Sequence, residues 1–372
     1  MESRLSPPTA RAMTKESERA LADAQMTYGV HVFARAKVIP DLAVTRGEEA
    51  YRAAREIGER HLEFLAAGGT AMAHLDLGDV AEAERWLDVA GQAAAAAPTP
   101  LRARQLELWR ALARAGAGDV DGMRRHFDRA LEAATERGGA AGRCEVLARL
   151  ALEAARLGGE RGDEELLALA ERSAAEAKEI AGQFAAHPPW SAQADAALAD
   201  VALARGDIPA AGEAGGRAMA AILEAMREDV YPELLLPTAR AVLAAGGEGE
   251  QQMVRMFLQL QLAMTAQRTA DEEVRVRWFR SPVGREWARL AGPVSSEAMA
   301  SAAGNGGGLT GLSEEECRLL GLLTEGLTTE EIAARVGEPA DVVGLSLQRM
   351  FAKVGASSRG EATAFALREG VL

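Results

Sequence analysis

The chain has 372 residues, 48% of them hydrophobic, 4% aromatic and 26% charged. That length suits one large domain or two to three ordinary ones, and an interior built from alanine and leucine is the composition of a helical array. The formal net charge of −13 argues against a general coating of nucleic acid or anionic membrane, which an acidic surface repels. Cys144 and Cys317 fall in separate predicted domains without metal-ligand spacing, and read as buried thiols of a reducing compartment. No apolar run is long enough to span a bilayer. The opening MESRLSPPTARAMTKESE lacks the apolar core of a signal peptide, so the expected location is the cytoplasm.

Residues 1–15, with Pro7-Pro8 and scattered charges, read as a flexible leader. Helical patterning covers 16–270 with rhythmic breaks. Gly78-Asp79, Gly118-Asp119, Gly162-Asp163 and Gly206-Asp207 follow one another at 40, 44 and 44 residues. An apolar helix precedes each pair, such as Phe64–Leu77 or Ala194–Ala204, and a helix with small residues follows, as at Ala81, Ala83, Leu87 and Ala90. Glycine takes the left-handed conformation that ends a helix, and aspartate caps the next one. Arg46-Gly47 is expected to mark an earlier, less regular turn, for a total of four to six helix pairs.

The segments GDVAEAERWLDVA (Gly78–Ala90) and GDVDGMRRHFDRALEAA (Gly118–Ala134) resemble the turn and second helix of a tetratricopeptide repeat, whose period is about 34 residues. The resemblance implies a solenoid of stacked pairs with a concave surface for a protein, peptide or small effector. Trp86 and Trp109 are expected in the packing between helices. His31, His61, His74, His126 and His187 are scattered singly and suggest no catalytic or metal role. Asp163-Glu164-Glu165 reads as a solvated helix face or as first-turn acids favoured by the helix dipole. His187-Pro188-Pro189-Trp190 reads as a break between repeats, with Trp190 plugging an edge.

Residues 271–292 concentrate Arg275, Arg277, Arg280, Arg285 and Arg289 around Trp278, Phe279 and Trp287. Basic residues interleaved with aromatics can serve a nucleic-acid surface. The alternative, preferred here, is a closing helix that packs its aromatics on the last repeat and turns its arginines to the acidic body. Residues 293–308, ending Asn305-Gly306-Gly307-Gly308, have the composition of a flexible tether.

In 309–372, three helix starts share one device, a hydroxyl residue followed three positions later by glutamate: Ser313…Glu316, Thr328…Glu331 and Ser358…Glu361. Between the last two lies a helical pattern over Pro339–Val354, opened by a proline that suits a first turn, with Val343, Leu347, Met350 and Val354 at helical spacing. Four short helices are expected. The tight Gly337-Glu338 connection gives the second and third the spacing of a helix-turn-helix, whose later helix enters the DNA major groove.

The residues Leu312-Ser313, Glu316, Leu320, Gly326-Leu327-Thr328, Glu331-Ile332-Ala333, Val342-Val343, Lys353-Val354, Ser358-Arg359 and Glu361-Ala362 resemble the C-terminal DNA-binding domain of LuxR-type transcription regulators. The fold expected for the whole chain is therefore all-α, a tetratricopeptide-like solenoid followed by a four-helix LuxR-type domain. By this resemblance Pro339–Val354 is the recognition helix, with Gln348 and Arg349 nearest the bases or phosphates and Lys353 and Arg359 on the DNA backbone. Thr328, Thr329 and Ser358 complete the candidate contact set, and the last helix, Ser358–Glu369, would help form a homodimer. A segment like 271–292 also stands between repeats and helix-turn-helix in large members, which fits its closing role. Those members carry an ATPase module ahead of the repeats; none is present here, so the chain is a shortened relative or a fragment.

The chain departs from the family where Val342, Gly344 and Ser346 replace the usual threonine, basic residue and histidine, where Pro339 replaces a hydroxyl cap, and where Glu338 replaces an apolar residue. Six Lys/Arg against ten Asp/Glu give this segment a charge of −4, although phosphate neutralisation dominates DNA affinity. Two functions stay open: a DNA-binding regulator with a partner-binding repeat region, or an interaction scaffold whose helix-turn-helix has decayed. No phosphate-binding loop, HExxH, CxxC pair, GxSxG elbow or kinase motif set occurs. The expectation is no enzyme, no cofactor and no membrane partner.

Overall fold

A computed structural model describes residues 15–137, 139–184, 189–225, 232–292, 314–324, 327–354 and 362. The expected leader lies outside them but for Lys15, as do the tether at 293–308 and the caps of Ser313 and Ser358. The fold is all-α, with no strand among the described residues. The first helices are α1 (Lys15–Ala36), α2 (Pro40–Ile57), α3 (Arg60–Asp76), α4 (Val80–Ala96), α5 (Pro100–Gly116) and α6 (Val120–Arg137). They are followed by α7 (Gly139–Arg161), α8 (Glu164–Ala181), α9 (Pro189–Ala204), α10 (Ile208–Ala225), α11 (Pro232–Ala245) and α12 (Glu248–Arg268). These form six consecutive pairs. The leading helices α1, α3, α5, α7, α9 and α11 pack side by side in order, and each following helix packs on the leading helix of the next pair.

The Gly-Asp dipeptides set this pairing. Gly78, Gly118, Gly162 and Gly206 sit at φ of +74°, +73°, +65° and +77°, a region that a Cβ disfavours. The next amide then turns back on the finished helix: Asp79, Asp119, Asp163 and Asp207 donate to His74, Arg114, Gly158 and Ala202, each at 2.9 Å. Their carboxylates accept from the N–H of Glu82, Gly122, Leu166 and Ala210 in the following helix. One dipeptide thus closes one helix and opens the next, satisfying amides and carbonyls that both ends would otherwise leave bare.

The earlier turn is not at Arg46-Gly47. Gly47 lies inside α2, where a Cβ would overlap the Thr70 hydroxyl and come within 2.9 Å of His31 Nδ1. The turn is at Gly58-Glu59, where Gly58 has φ +75°, the Glu59 amide donates to Ala54 at 2.8 Å and the Glu59 carboxylate accepts from His61. It is the same device with glutamate in place of aspartate.

Small residues set how closely the helices approach. On α4, Ala83, Leu87 and Ala90 are buried while Ala81 faces solvent. Trp109 is buried against Phe64, their ring centroids 5.0 Å apart, over Gly68, whose missing side chain leaves the indole its space. Trp86 is half-buried, edge-on to Tyr51 at 5.3 Å. Trp190, at the start of α9, stands edge-on to Phe184.

The segment expected as one closing helix is two, α13 (Glu272–Arg280) and α14 (Pro282–Ala291). Ser281 is extended at ψ 160°, its Oγ caps Gly284 N–H at 3.1 Å, and Pro282 occupies the first turn of α14. The corner lets Trp278 and Trp287 enter one core with Leu235, Val254 and Leu258 of the last pairs and with Val38 and Leu77 of the first two. The array's end is thereby joined to its beginning. Asp41 Oδ2 accepts from Ala270 N–H at 2.7 Å and Asp271 N–H at 3.0 Å, across 229 and 230 residues. Arg277 reaches Asp79 at 3.4 Å, and Arg289 pairs with Glu286 at 2.7 Å. Val38 holds φ +55°, strained for a β-branched residue, with its side chain buried in this shared core.

Asp41→Ala removes the acceptor of two amides at the seam. We expect it to lower stability by about 1–2 kcal/mol and to speed hydrogen exchange at Ala270 and Asp271. Val274 N–H, which Asp271 caps within α13, serves as the control. Urea unfolding and residue-resolved exchange measure both effects.

Candidate functional site

Beyond the array the structure describes α15 (Glu314–Thr324), α16 (Thr329–Val336) and α17 (Ala340–Val354). Thr328 opens α16 with a reciprocal cap: its Oγ accepts from Glu331 N–H at 3.2 Å, and its own N–H donates to the Glu331 carboxylate at 2.7 Å. Gly337 closes α16 at φ +79°, with Gly337 and Glu338 both donating to the Ala333 carbonyl. Pro339 accepts from Val343 N–H and leads into α17. Ile332 and Ala333 of α16 and Val343, Leu347 and Met350 of α17 bury together with Leu319, Leu320 and Leu323 of α15. Ala362, the one described residue beyond α17, is buried in the same core.

Of the candidate contact residues, Thr328 is exposed and Thr329 half-buried. Gly344 faces Thr329: a Cβ there would lie 4.0 Å from Thr329 Cγ2, so the position has room for a side chain between α16 and α17. Gln348, Arg349 and Lys353 fall on α17, but their side chains lie outside the described residues, as do Ser358 and Arg359 entirely. Val342 on α17 is exposed at 43%. Arg318 on α15 and Arg335 on α16 are exposed cations that the family pattern does not mark; solvent exposure is what singles them out.

Several charged groups of the array form ion pairs between helices. Arg35 of α1 donates to Asp76 of α3 at 2.8 Å, and Arg149 of α7 to Glu233 of α11. Burial pushes the Asp76 carboxyl up, and Arg35 offsets only part of that. Burial acts the same way on Glu233, but Arg149 and Arg35 outweigh it and hold its carboxyl below the usual range. Arg240 on α11 bridges Asp200 of α9 and Glu286 of α14, tying the closing helices to the array. Each of these charges has its counter-charge at contact, so the set is suited to holding helices in register rather than to moving protons.

The buried Cys144 thiol donates to Ala177 O at 3.2 Å and is pushed up to about 11 by burial, aided by Glu145, which leaves it an inert thiol. Among the described residues no three of His, Cys, Asp and Glu come together to hold a metal ion, and no helix is long and apolar enough to cross a membrane. Compared with protein-family models and with curated proteins, the chain finds no match.

His31 is fully buried, its Nδ1 2.7 Å from the Ala43 carbonyl, in a pocket floored by Gly47 and Gly69. Burial lowers it to about 4, against the Ala43 hydrogen bond that favours the protonated ring. His74, buried with neither ring nitrogen hydrogen-bonded, is also lowered by burial, with Glu82, Asp79 and Glu48 opposing. A depressed histidine binds fewer protons folded than unfolded. Stability is therefore full above about pH 6.5 and falls as pH drops toward 4, by up to about 3 kcal/mol for His31. We expect urea midpoints to decline from pH 7 to pH 5 and His31→Gln to flatten that decline.

Proposed function

We propose that the chain is a DNA-binding transcription regulator of the LuxR type, with a tetratricopeptide-like array that receives a partner. The observation that supports this reading is the α16–α17 unit. A hydroxyl–glutamate box opens its first helix, a left-handed glycine makes its turn, and the second helix buries Val343, Leu347 and Met350 against the first. That is the arrangement in which a helix-turn-helix presents the outer face of its second helix to the major groove. Arg349 and Gln348 would read bases or phosphates, with Lys353 and Arg359 on the DNA backbone. Thr328 and Thr329, at the start of α16, would contact phosphate where backbone N–H groups also point, and Ser358 would join them. The last helix, Ser358–Glu369, is assigned to a homodimer, and the place of action is the cytoplasm.

The second reading, an interaction scaffold with a decayed helix-turn-helix, is favoured by the −4 charge of 309–372 and by glycine at 344. Fluorescence anisotropy of the full chain against genomic DNA fragments, from about 50 to about 200 mM salt, separates the two. The regulator gives a linear fall of log affinity with log salt, and Arg349→Ala and Lys353→Ala each weaken binding by roughly tenfold and flatten the slope. Absence of binding at the lowest salt sinks the regulator and leaves the scaffold.

A further inference from the structure

Between α10 and α12, floored by the end of α11, runs an open groove of about 590 Å3. Ile208, Gly212, Gly216 and Leu223 on α10, Ala245 at the end of α11 and Met253 on α12 line it. Ile208, Leu223, Met253 and Met256, one turn further along α12, are 41%, 52%, 48% and 61% exposed. Ile208, Leu223 and Met253, which line the groove, are three of the nine large apolar side chains exposed among the described residues. Scattered single residues of this kind need no explanation, whereas a cluster around a groove marks a contact surface.

The glycines of α10 divide into two kinds. Gly212 and Gly215 are needed inside the chain, since a Cβ would press on Ala245 and Ala241 of α11. A Cβ at Gly216 meets nothing within 4 Å. Packing within the chain does not require glycine there, yet its absence of side chain keeps the floor open to another backbone. The α10 wall from Ile208 to Leu223 extends about 22 Å at 1.5 Å per residue, the length of a four-turn helix. Charge defines the occupant further. Glu250 is the one charged residue lining the groove, and Glu248, in the same first turn of α12, is exposed, whereas Glu213 and Arg217 on α10 are paired with each other at 2.7 Å.

We infer that this groove docks an amphipathic α-helix of a partner protein, about four turns long, with large apolar side chains on one face and lysine or arginine along its margin. Helix-in-groove recognition takes its affinity from apolar anchors at helical spacing, and an acidic rim selects a cationic helix and speeds its approach. This gives chemistry to the partner-binding half of the proposed function and is independent of its DNA-binding half.

The test uses the full chain without DNA, so its failure leaves the DNA-binding reading standing. The probe is a labelled lysine–leucine peptide of about four to five turns, compared with a scrambled isomer of identical composition that has no apolar face. By anisotropy the amphipathic peptide is expected to bind at least about tenfold more tightly than the isomer. Gly216→Trp, whose Cβ enters open space, is expected to abolish that difference at unchanged helical content and Tm, while Gly216→Ser preserves it. Met253→Asp, at an exposed position, is expected to act as Gly216→Trp does and serves if the tryptophan variant fails to fold. Equal binding of the two isomers, or indifference to both Gly216→Trp and Met253→Asp, overturns the inference. A peptide-free dimer that either variant dissociates overturns it too, because the occupant is then a second copy.

Discussion

Helix ends are the constraint on which this structure depends. An array of short helices has many termini, and each leaves backbone groups without partners unless the loop supplies them. Here a two-residue device does so five times, with glycine in the left-handed region and an acidic residue behind it, at Gly58, Gly78, Gly118, Gly162 and Gly206. The left-handed turn reverses the chain within a few residues, so the helices it joins lie against one another. Their facing surfaces then carry alanine and glycine, because bulkier residues would hold the helices apart. The low aromatic content follows from this: close helix spacing leaves few places for large rings. Trp109 fits only where Gly68 makes room.

The second organising feature is closure. A row of stacked helix pairs exposes apolar surface at its last pair unless something covers it. This chain covers that end with α13 and α14, whose buried tryptophans also reach Val38 and Leu77 at the beginning of the array. The seam carries the one non-glycine residue at positive φ among the described residues, Val38, which the shared core holds in place. Closure also places the charges. Arg149–Glu233 and the Asp200–Arg240–Glu286 bridge join helices distant in sequence, and Glu233 stays ionised because its counter-charges outweigh the burial that opposes it.

The terminal helices follow the same logic of capped ends on a smaller scale, and the function proposed for them rests on a different quantity. A helix-turn-helix is held by its buried face, whereas DNA affinity comes from cations on the outer one. These two requirements are separable: in the proposed helix-turn-helix the shared buried core is present, while residues 309–372 carry a charge of −4. The groove between α10 and α12 lies on other elements and has a mostly apolar lining with Glu250 at its edge, so the two proposed surfaces would take partners of different chemistry.

Much of the local structure is legible in the sequence. Gly-Asp at near-constant spacing determines four helix pairs, and Thr328 with Glu331 determines the start of α16, because caps act over three or four residues. Ser281-Pro282 carries a readable break as well, a hydroxyl cap followed by a first-turn proline, although the arginine–aromatic run around it reads as one helix. Gly47 reads as a turn glycine but lies inside α2, because a glycine needed for a turn and one needed for close approach look alike in sequence. Only packing against His31 and Thr70 separates them, as only packing separates Gly212 from Gly216. The seam between Asp41 and residues 270–271, the strain at Val38 and the open groove belong to tertiary structure alone. They depend on how small rotations between successive helix pairs add up along the array, and no local pattern encodes that sum.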